Sequence, residues 1–378
     1  MLTMPPGFGS ARRKQLLDLP PLGVKGRTER AREALAARGA DALVVTDLTN
    51  IDWCTGFTGS AGALVITTDT SVLVTDSRYR DQAPAQLDAA GSEAQVRIDS
   101  ATFDTVAECL GGATKVALEA DRIVWADQRR LSEALDAALI ATTGLIAELR
   151  SVKDEAELVR METAADIVDA ALRDCRHQFV PGVSERDLAL MLEDQMRAAG
   201  AEGPAYDTIV ASGPNAALPH ARAGARRFVE GDLVVVDAGA VVDRYRSDMT
   251  RTFVVGKPDD QTAEIHDIVT RAQAQGVAAV RPGLEAQEID RVCREVIAEA
   301  GYGDAFVHGT GHGVGLDIHE LPALRRGSTA ILSPGQVITV EPGIYLTGFG
   351  GVRVEDMVVV TPHGCRSLTK YPKEPVCQ

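Results

Sequence analysis

Apolar positions recur along this chain with two different periods. After Asp154, Leu158, Met161, Ala165, Val168 and Leu172 return at steps of three and four, which predicts one buried face of a long amphipathic helix. The apolar run Leu233 to Val236 and the largely apolar stretch Gln336 to Val340 predict buried strands. Nearer the start the pattern changes faster. Residues 28–38 read as a helix stopped by Gly39, Ala42 to Thr46 as a strand, and Ala63 to Thr67 with Ser71 to Thr75 as a hairpin. Residues 102–110 then read as a helix, Lys115 to Leu118 as a strand and Asp127 to Leu139 as a helix. The alternation predicts a small mixed α/β domain over residues 1–149, entered through a frayed Pro- and Gly-rich leader at 1–25. A second domain is expected over 150–378.

The second domain contains an echo of itself. Pro181-Gly182-Val183 opens a helix from Ser184 to Ala199, stopped by Gly200. Pro282-Gly283-Leu284 opens another to Ala300, stopped by Gly301, at an offset of 101 residues. Leu188, Leu192 and Ala199 correspond to Ile289, Cys293 and Ala300. Ser184 and Asp187 supply a capping box for the first helix. Each helix follows a longer helical stretch and precedes strands. The fold class is therefore α+β, with pseudo-two-fold duplicated α-α-β halves behind the N-terminal domain.

The chemistry is distributed the same way. The first apolar run ends in Asp237, and Asp248 lies 11 residues on, in a returning strand read from Tyr245 to Val255. The second ends in Glu341, and Glu355 lies 14 residues on, beyond a Gly-rich turn at 348–351. A single buried carboxylate is as readily satisfied by backbone amides as by a metal ion. Matched pairs in both halves point to a shared site, whereas Asp243 reads as a turn residue. Between the pairs, His308, His312 and His319 fall within twelve residues, spaced by glycines. His220 stands in a separate loop segment. Four carboxylates and one imidazole balance two divalent ions; oxygen-rich ligation favours Mn2+, with Co2+, Zn2+ or Fe2+ as alternatives. Two ions roughly 3.5–4 Å apart can hold a hydroxide and clamp both oxygens of a hydrolytic transition state. A nearby His or Arg can stabilise an oxyanion, and a carboxylate can carry the proton to the leaving group.

Composition narrows the partners. The net charge of −15 over 378 residues, with only 2 Trp, 6 Tyr and 8 Phe, argues against a nucleic-acid surface. No apolar stretch is long enough to cross a membrane, and no apolar run follows the basic residues at 12–14 as in a secretion signal. The six cysteines contain no Cys-x-x-Cys pair and are expected to be free thiols, which places the protein in the cytoplasm.

From about Leu35 to Tyr371 the chain resembles the pita-bread metallopeptidases, in the branch of Xaa-Pro aminopeptidases (aminopeptidase P) and Xaa-Pro dipeptidases (prolidases). The resemblance rests on Asp237-Ala238-Gly239, Ser247-Asp248-Met249-Thr250-Arg251-Thr252, His308 to Gly315, Glu341-Pro342-Gly343-Ile344-Tyr345 and Arg353-Val354-Glu355-Asp356. It implies that Asp237 and Asp248 chelate one ion, that His312 and Glu341 ligate the other, and that Glu355 bridges them. It further implies Glu341 as general base and acid, His220 at the substrate carbonyl, His319 near the prolyl residue, and Arg353 in support. Tyr345 and His308 match positions lining the family's pocket. Gly56 to Gly62 and Thr75 to Arg80 are similar to the aminopeptidase P type of N-terminal domain, which caps the site of a neighbouring subunit and so implies a homodimer.

The activity expected first is release of an N-terminal residue from Xaa-Pro peptides. A dipeptide-restricted prolidase is the alternative, and a noncatalytic binding protein ranks third. A cation at the pocket exit would favour the dipeptidase; Arg222, Arg325 and Arg326 are the candidates.

Overall fold

A computed structural model describes residues 19–376. Most of the expected leader and Cys377 lie outside the described residues. Contacts divide the chain into two compact units, one from Pro21 to Arg150 and one from Ser151 onward.

The first unit contains α1 (Arg27–Ala37), β1 (Ala42–Val45), α2 (Leu48–Thr55), β2 (Ala63–Thr67), β3 (Ser71–Thr75), α3 (Gln82–Ala90) and β4 (Gln95–Ile98). It continues through α4 (Thr102–Cys109), β5 (Lys115–Glu119), α5 (Trp125–Ala134), β6 (Ala138–Thr142) and α6 (Leu145–Ser151). Its six strands form one mixed sheet in the order β4-β3-β2-β1-β5-β6. Two expectations for this unit need correction, and several of its elements were not expected. Val24, within the expected leader, is instead buried, and its N–H donates to Ala90 O at 2.9 Å. The helix expected to Leu139 stops at Ala134: Leu135 turns extended, and Ala138 to Thr142 pair with β5 instead. Helix α2 was not expected; Asp47 caps it by accepting the Asn50 N–H.

The second unit opens with α7 (Glu155–Cys175) and α8 (Glu185–Ala198). Asp154 and Glu157 form a reciprocal capping box at the start of α7. At α8, Ser184 Oγ accepts the Asp187 N–H at 3.1 Å. There follow β7 (Gly203–Pro204), β8 (Ile209–Ser212), β9 (Leu233–Ala238), β10 (Ala240–Val242), β11 (Tyr245–Arg246) and β12 (Met249–Val254). The second half repeats the scheme with α9 (Asp260–Ala279), α10 (Ala286–Glu299), β13 (Gly311–Gly313), β14 (Glu320–Leu324), β15 (Val337–Val340), β16 (Gly343–Leu346), β17 (Gly350–Arg353), β18 (Asp356–Thr361) and β19 (Gly364–Ser367). The pseudo-two-fold duplication of α-α-β halves is therefore present.

Each half builds one strand, a small hairpin and a return strand. β9 pairs antiparallel with β12, and the β10–β11 hairpin intervenes. β15 pairs antiparallel with β18, and the β16–β17 hairpin intervenes. The strand expected from Tyr245 to Val255 is accordingly two strands, broken at Ser247-Asp248. Gly239 permits the first junction, since a Cβ there would lie 2.1 Å from Ser247 O.

β9 is buried on both faces. Val234 and Val236 join a core with Ile167, Val168, Leu188 and Leu192 of α7 and α8. Leu233 and Val235 join a second core with Ile265, Val269, Ile289 and Cys293 of α9 and α10. Each fully buried Val, Leu or Ile contributes about 1.5–3 kcal/mol, so these faces fix the strand register. Hydrogen bonds then stitch β12 to the end of β17 and the segment that follows it. Thr252 Oγ1 donates to Arg353 O at 2.8 Å, and Glu355 N donates to Thr250 O at 3.1 Å.

His266 on α9 is buried, its Nε2 has no hydrogen-bond partner among the described residues, and burial lowers its pKa. The unfolded chain binds that proton below about pH 6.5, whereas the folded chain resists it, so His266 removes stability as pH falls below that value. In His266→Leu the melting temperature is expected to fall less between about pH 7.5 and 5.5 than in the wild type. An equal fall, measured by calorimetry, would contradict this.

Candidate metal centre

The four acids sit where strands give way to hairpins. Asp237 is near the end of β9, Asp248 precedes β12, Glu341 follows β15 and Glu355 lies between β17 and β18. At these junctions the side chains leave the packed sheet and converge on one cavity of about 720 Å³. His312 enters from β13. A Cβ at Gly311 would lie 2.1 Å from Thr339 O, and one at Gly313 the same distance from Leu321 O, so flanking glycines let this short strand wedge between β14 and β15.

The five groups form a connected cluster. Asp248, His312 and Glu355 each offer a ligand atom within 4.8 Å of the others. His312 Nε2 is 3.6 Å from Asp248 Oδ2 and 3.3 Å from Glu341 Oε1. Tyr206 Oη bridges Asp237 Oδ1 and Asp248 Oδ1, each at 2.5 Å. The tautomer of His312 follows from its surroundings: Nδ1 faces Gly313 O at 2.9 Å, which only accepts, leaving Nε2 for a cation.

The cluster carries more negative charge than its neighbours neutralise. Burial, and then the charge of Asp237, pushes Asp248 up to about 8. Burial and the charges of Asp248, Glu341 and Asp237 raise Glu355 well above the carboxylate range. For His312, burial opposes the charge, but Glu341 and Asp248 outweigh it and lift the imidazole to about 9. Glu341 is likewise pushed up by burial, and its bond to His312 outweighs this and holds it at about 2. Glu355 supplies the clearest fit to a metal: Oε2 accepts from Thr250 Oγ1 at 2.7 Å, while the buried Oε1 has no hydrogen-bond partner. An orphaned carboxylate oxygen amid three other acids and an imidazole is a donor set for divalent cations.

Arg353 organises the cavity wall. It is buried, and its guanidinium donates to Asp237 Oδ2 at 2.7 Å, Thr250 Oγ1 at 3.0 Å, Pro219 O at 3.1 Å and Tyr345 Oη at 2.8 Å. Burial opposes that charge, and Tyr345, Asp237 and Glu341 outweigh it and raise the pKa further. Tyr345 Oη in turn reaches His308 Nε2 at 2.9 Å. His308 Nδ1 faces Gly309 O at 2.8 Å, so Nε2 accepts from the tyrosine, and burial lowers the His308 pKa toward the neutral ring. The loop around His308 is held by Asp290, which accepts from Thr310 N and Oγ1 and pairs with Arg294.

Of the ten site residues expected from sequence, His220, Asp237, Asp248, His308, His312, His319, Glu341, Arg353 and Glu355 line this cavity. Tyr345 does not; it stands behind the wall, bonded to Arg353 and His308. The His319 ring lies edge-on to His312 at 4.4 Å. Arg222 and Arg325 also line the cavity, whereas Arg326 lines a different one. Sequence reasoning missed Tyr206, because a single tyrosine in Pro204-Ala205-Tyr206-Asp207 carries no motif.

Duplicated halves closing on a buried acidic cluster define a metal-dependent hydrolase of the pita-bread type. Residues 159–362 match the model of metallopeptidase family M24, and residues 27–152 match that of the creatinase/prolidase N-terminal domain. The chain is 46% identical to an Xaa-Pro dipeptidase of Pyrococcus furiosus over 230 residues, 61% of this chain and 66% of that one. An Xaa-Pro dipeptidase structure from Bacillus anthracis superposes with a TM-score of 0.90 at 39% identity, covering 94% of this chain and 99% of its own. An X-Pro aminopeptidase structure from Thermotoga maritima gives a TM-score of 0.81 at 36% identity, covering 91% and 99%. The chain belongs to metallopeptidase family M24 and is a hydrolase of that family.

Tyr206→Phe deletes the hydroxyl shared by Asp237 and Asp248 and is expected to weaken Mn2+ binding about 10- to 100-fold. Titration of metal-free protein would read this. An unchanged affinity would show that the tyrosine does not orient the carboxylates.

Proposed function

We propose that this chain is an Xaa-Pro dipeptidase that uses two divalent ions, Mn2+ first among them. Support comes from the Xaa-Pro dipeptidases to which it is similar and from two arginines that line the cavity. The order expected from sequence, aminopeptidase first, is thereby reversed. The observation that carries the reading is that Arg222 and Arg325 line the cavity with no carboxylate partner among the described residues. A free prolyl carboxylate would supply the missing partner. Xaa-Pro aminopeptidase is the second reading, favoured by the likeness to the Thermotoga maritima structure. A noncatalytic role ranks third, since the full donor set is retained.

Asp237, Asp248, His312, Glu341 and Glu355 would hold the ions. When bound, the ions supply a water of lowered pKa and a Lewis acid for the scissile carbonyl. Glu341 takes the proton of the attacking water and delivers it to the prolyl nitrogen as the carbon–nitrogen bond breaks. His220, exposed at the cavity, donates to the carbonyl oxygen as its charge grows. His319 and His308 face the prolyl side. Arg353 holds Asp237 in place through its bond to Oδ2, and its bond to Tyr345 orients His308. Proline requires a dedicated site because its nitrogen carries no N–H and its ring fixes φ.

The domains are proposed as 1–149 and 150–378, close to the two matched family regions, and the assembly as a homodimer. No helix of the described residues is long and apolar enough to cross a membrane. The scattered cysteines, five of them unpaired among the described residues, support a cytoplasmic location.

The test is release of alanine from Ala-Pro and from Ala-Pro-Pro by Mn2+-loaded protein. Cleavage of Ala-Pro alone is expected. Efficient cleavage of Ala-Pro-Pro would establish the aminopeptidase instead, and cleavage of neither would remove both readings.

A further inference from the structure

His220 faces the cavity without support of its own: its imidazole is exposed and makes no hydrogen bond among the described residues. Its position therefore rests on its backbone, in a loop over residues 213–223. Both ends of that loop meet one side chain. Glu185, in the first turn of α8, is fully buried. Its Oε1 accepts from Ser212 N and Ser212 Oγ, both at 2.8 Å, and from Asn215 Nδ2 at 3.0 Å. Its Oε2 accepts from Gly224 N at 3.0 Å. One carboxylate thus closes the loop at its start and at its end.

The neighbouring backbone repeats the clasp. Glu185 N donates to Arg226 O at 3.0 Å, and Arg186 N donates to Gly224 O at 2.9 Å. Within the loop, Leu218 N donates to Asn215 O and Ala221 N to Leu218 O, at 3.0 and 3.1 Å. Arg353 fixes the carbonyl of Pro219, the residue before His220, at 3.1 Å. Each turn leading to the histidine is tied either to Glu185 or to Arg353.

We propose that Glu185 is a positioning residue that sets the loop presenting His220 to substrate and influences turnover only through that histidine. The proposal rests on the reading of His220 given under Proposed function. A carboxylate suits the task for two reasons. Four donor groups converge on it, and only an ionised carboxylate offers lone pairs to all of them without a donor of its own. The first turn of a helix also favours negative charge. A glutamine there would turn an NH2 group toward one of the buried donors, leaving that donor unsatisfied.

The test combines Glu185→Gln, His220→Ala and the double variant, each as Mn2+-loaded full chain on Ala-Pro, with bound metal measured alongside. Glu185→Gln is expected to lower kcat about tenfold while KM and metal content stay within about twofold. On the His220→Ala background the same change is expected to cost nothing further. An equal loss on both backgrounds, or an unchanged kcat, would overturn the proposal. If Glu185→Gln does not fold, Asn215→Ala removes one donor and is expected to give a smaller loss with the same dependence on His220. Amide hydrogen exchange over residues 212–224 provides a reading independent of turnover: it is expected to quicken in Glu185→Gln. Unchanged exchange would overturn the clasp even if the wild type left Ala-Pro intact, so a failed substrate assignment and a failed clasp give different results.

Discussion

Four carboxylates face one another across a cavity floor, opposed from the protein side by Arg353 and by His312. Charges withdrawn from water in this way are costly unless paired, and like charges at such range cannot all ionise unaided. Burial and the crowding of these charges raise Asp248 and Glu355, and the bonds and charges of Glu341 and Asp248 raise His312. Much of the surrounding structure answers the same constraint. Tyr206 shares its hydroxyl between two of the acids, Thr250 and Thr339 each hold one oxygen of another, and Arg353 holds the outer face of Asp237. Among the described residues, Glu355 Oε1 is the one buried oxygen of the four acids left with no hydrogen-bond partner. A cation is the group that completes the arrangement.

The duplication explains how a chain can assemble so unfavourable a cluster. Each half needs a strand rigid enough to aim an acid and a break sharp enough to release it from the sheet. β9 and β15 supply the first through apolar runs packed into two cores. The inserted hairpins supply the second, and the bonds from Thr252 to Arg353 and from Glu355 to Thr250 lock the halves in register. The histidines that are not expected to bind metal stand on more irregular segments, each tied to a buried or half-buried acid. Glu185 holds the loop of His220, Asp290 that of His308, and Glu320, paired with Lys153 at 2.8 Å, that of His319 by accepting the Asp317 N–H at 3.0 Å.

Much of this was legible in the sequence, for identifiable reasons. The long helix after Asp154 and the matched α8 and α10 show because a single apolar face repeats over many turns. Asp237 and Glu341 show because each ends a largely apolar run, Asp248 and Glu355 because each stands a short way on in a returning segment, and the histidines because glycines crowd around them. Local pattern fails where tertiary pairing decides. Asp127 to Leu139 continues a helical rhythm, yet its last residues complete a sheet. Tyr245 to Val255 reads as one strand, yet the break at Asp248 depends on the close approach of Gly239 to Ser247. Tyr206, Glu185 and Asp290 carry no motif, since their importance lies in contacts with residues far along the chain. Substrate length is a property of the cavity, whose lining brings Arg222 and Arg325 in from distant parts of the chain.

The central claim is that these five side chains form one centre for two ions. Diffraction from crystals of Mn2+-loaded protein, collected for anomalous scattering, tests it directly. The account predicts two anomalous peaks roughly 3.5–4 Å apart, enclosed by Asp237, Asp248, His312, Glu341 and Glu355. A cavity without peaks, or ions bound away from these residues, would contradict it.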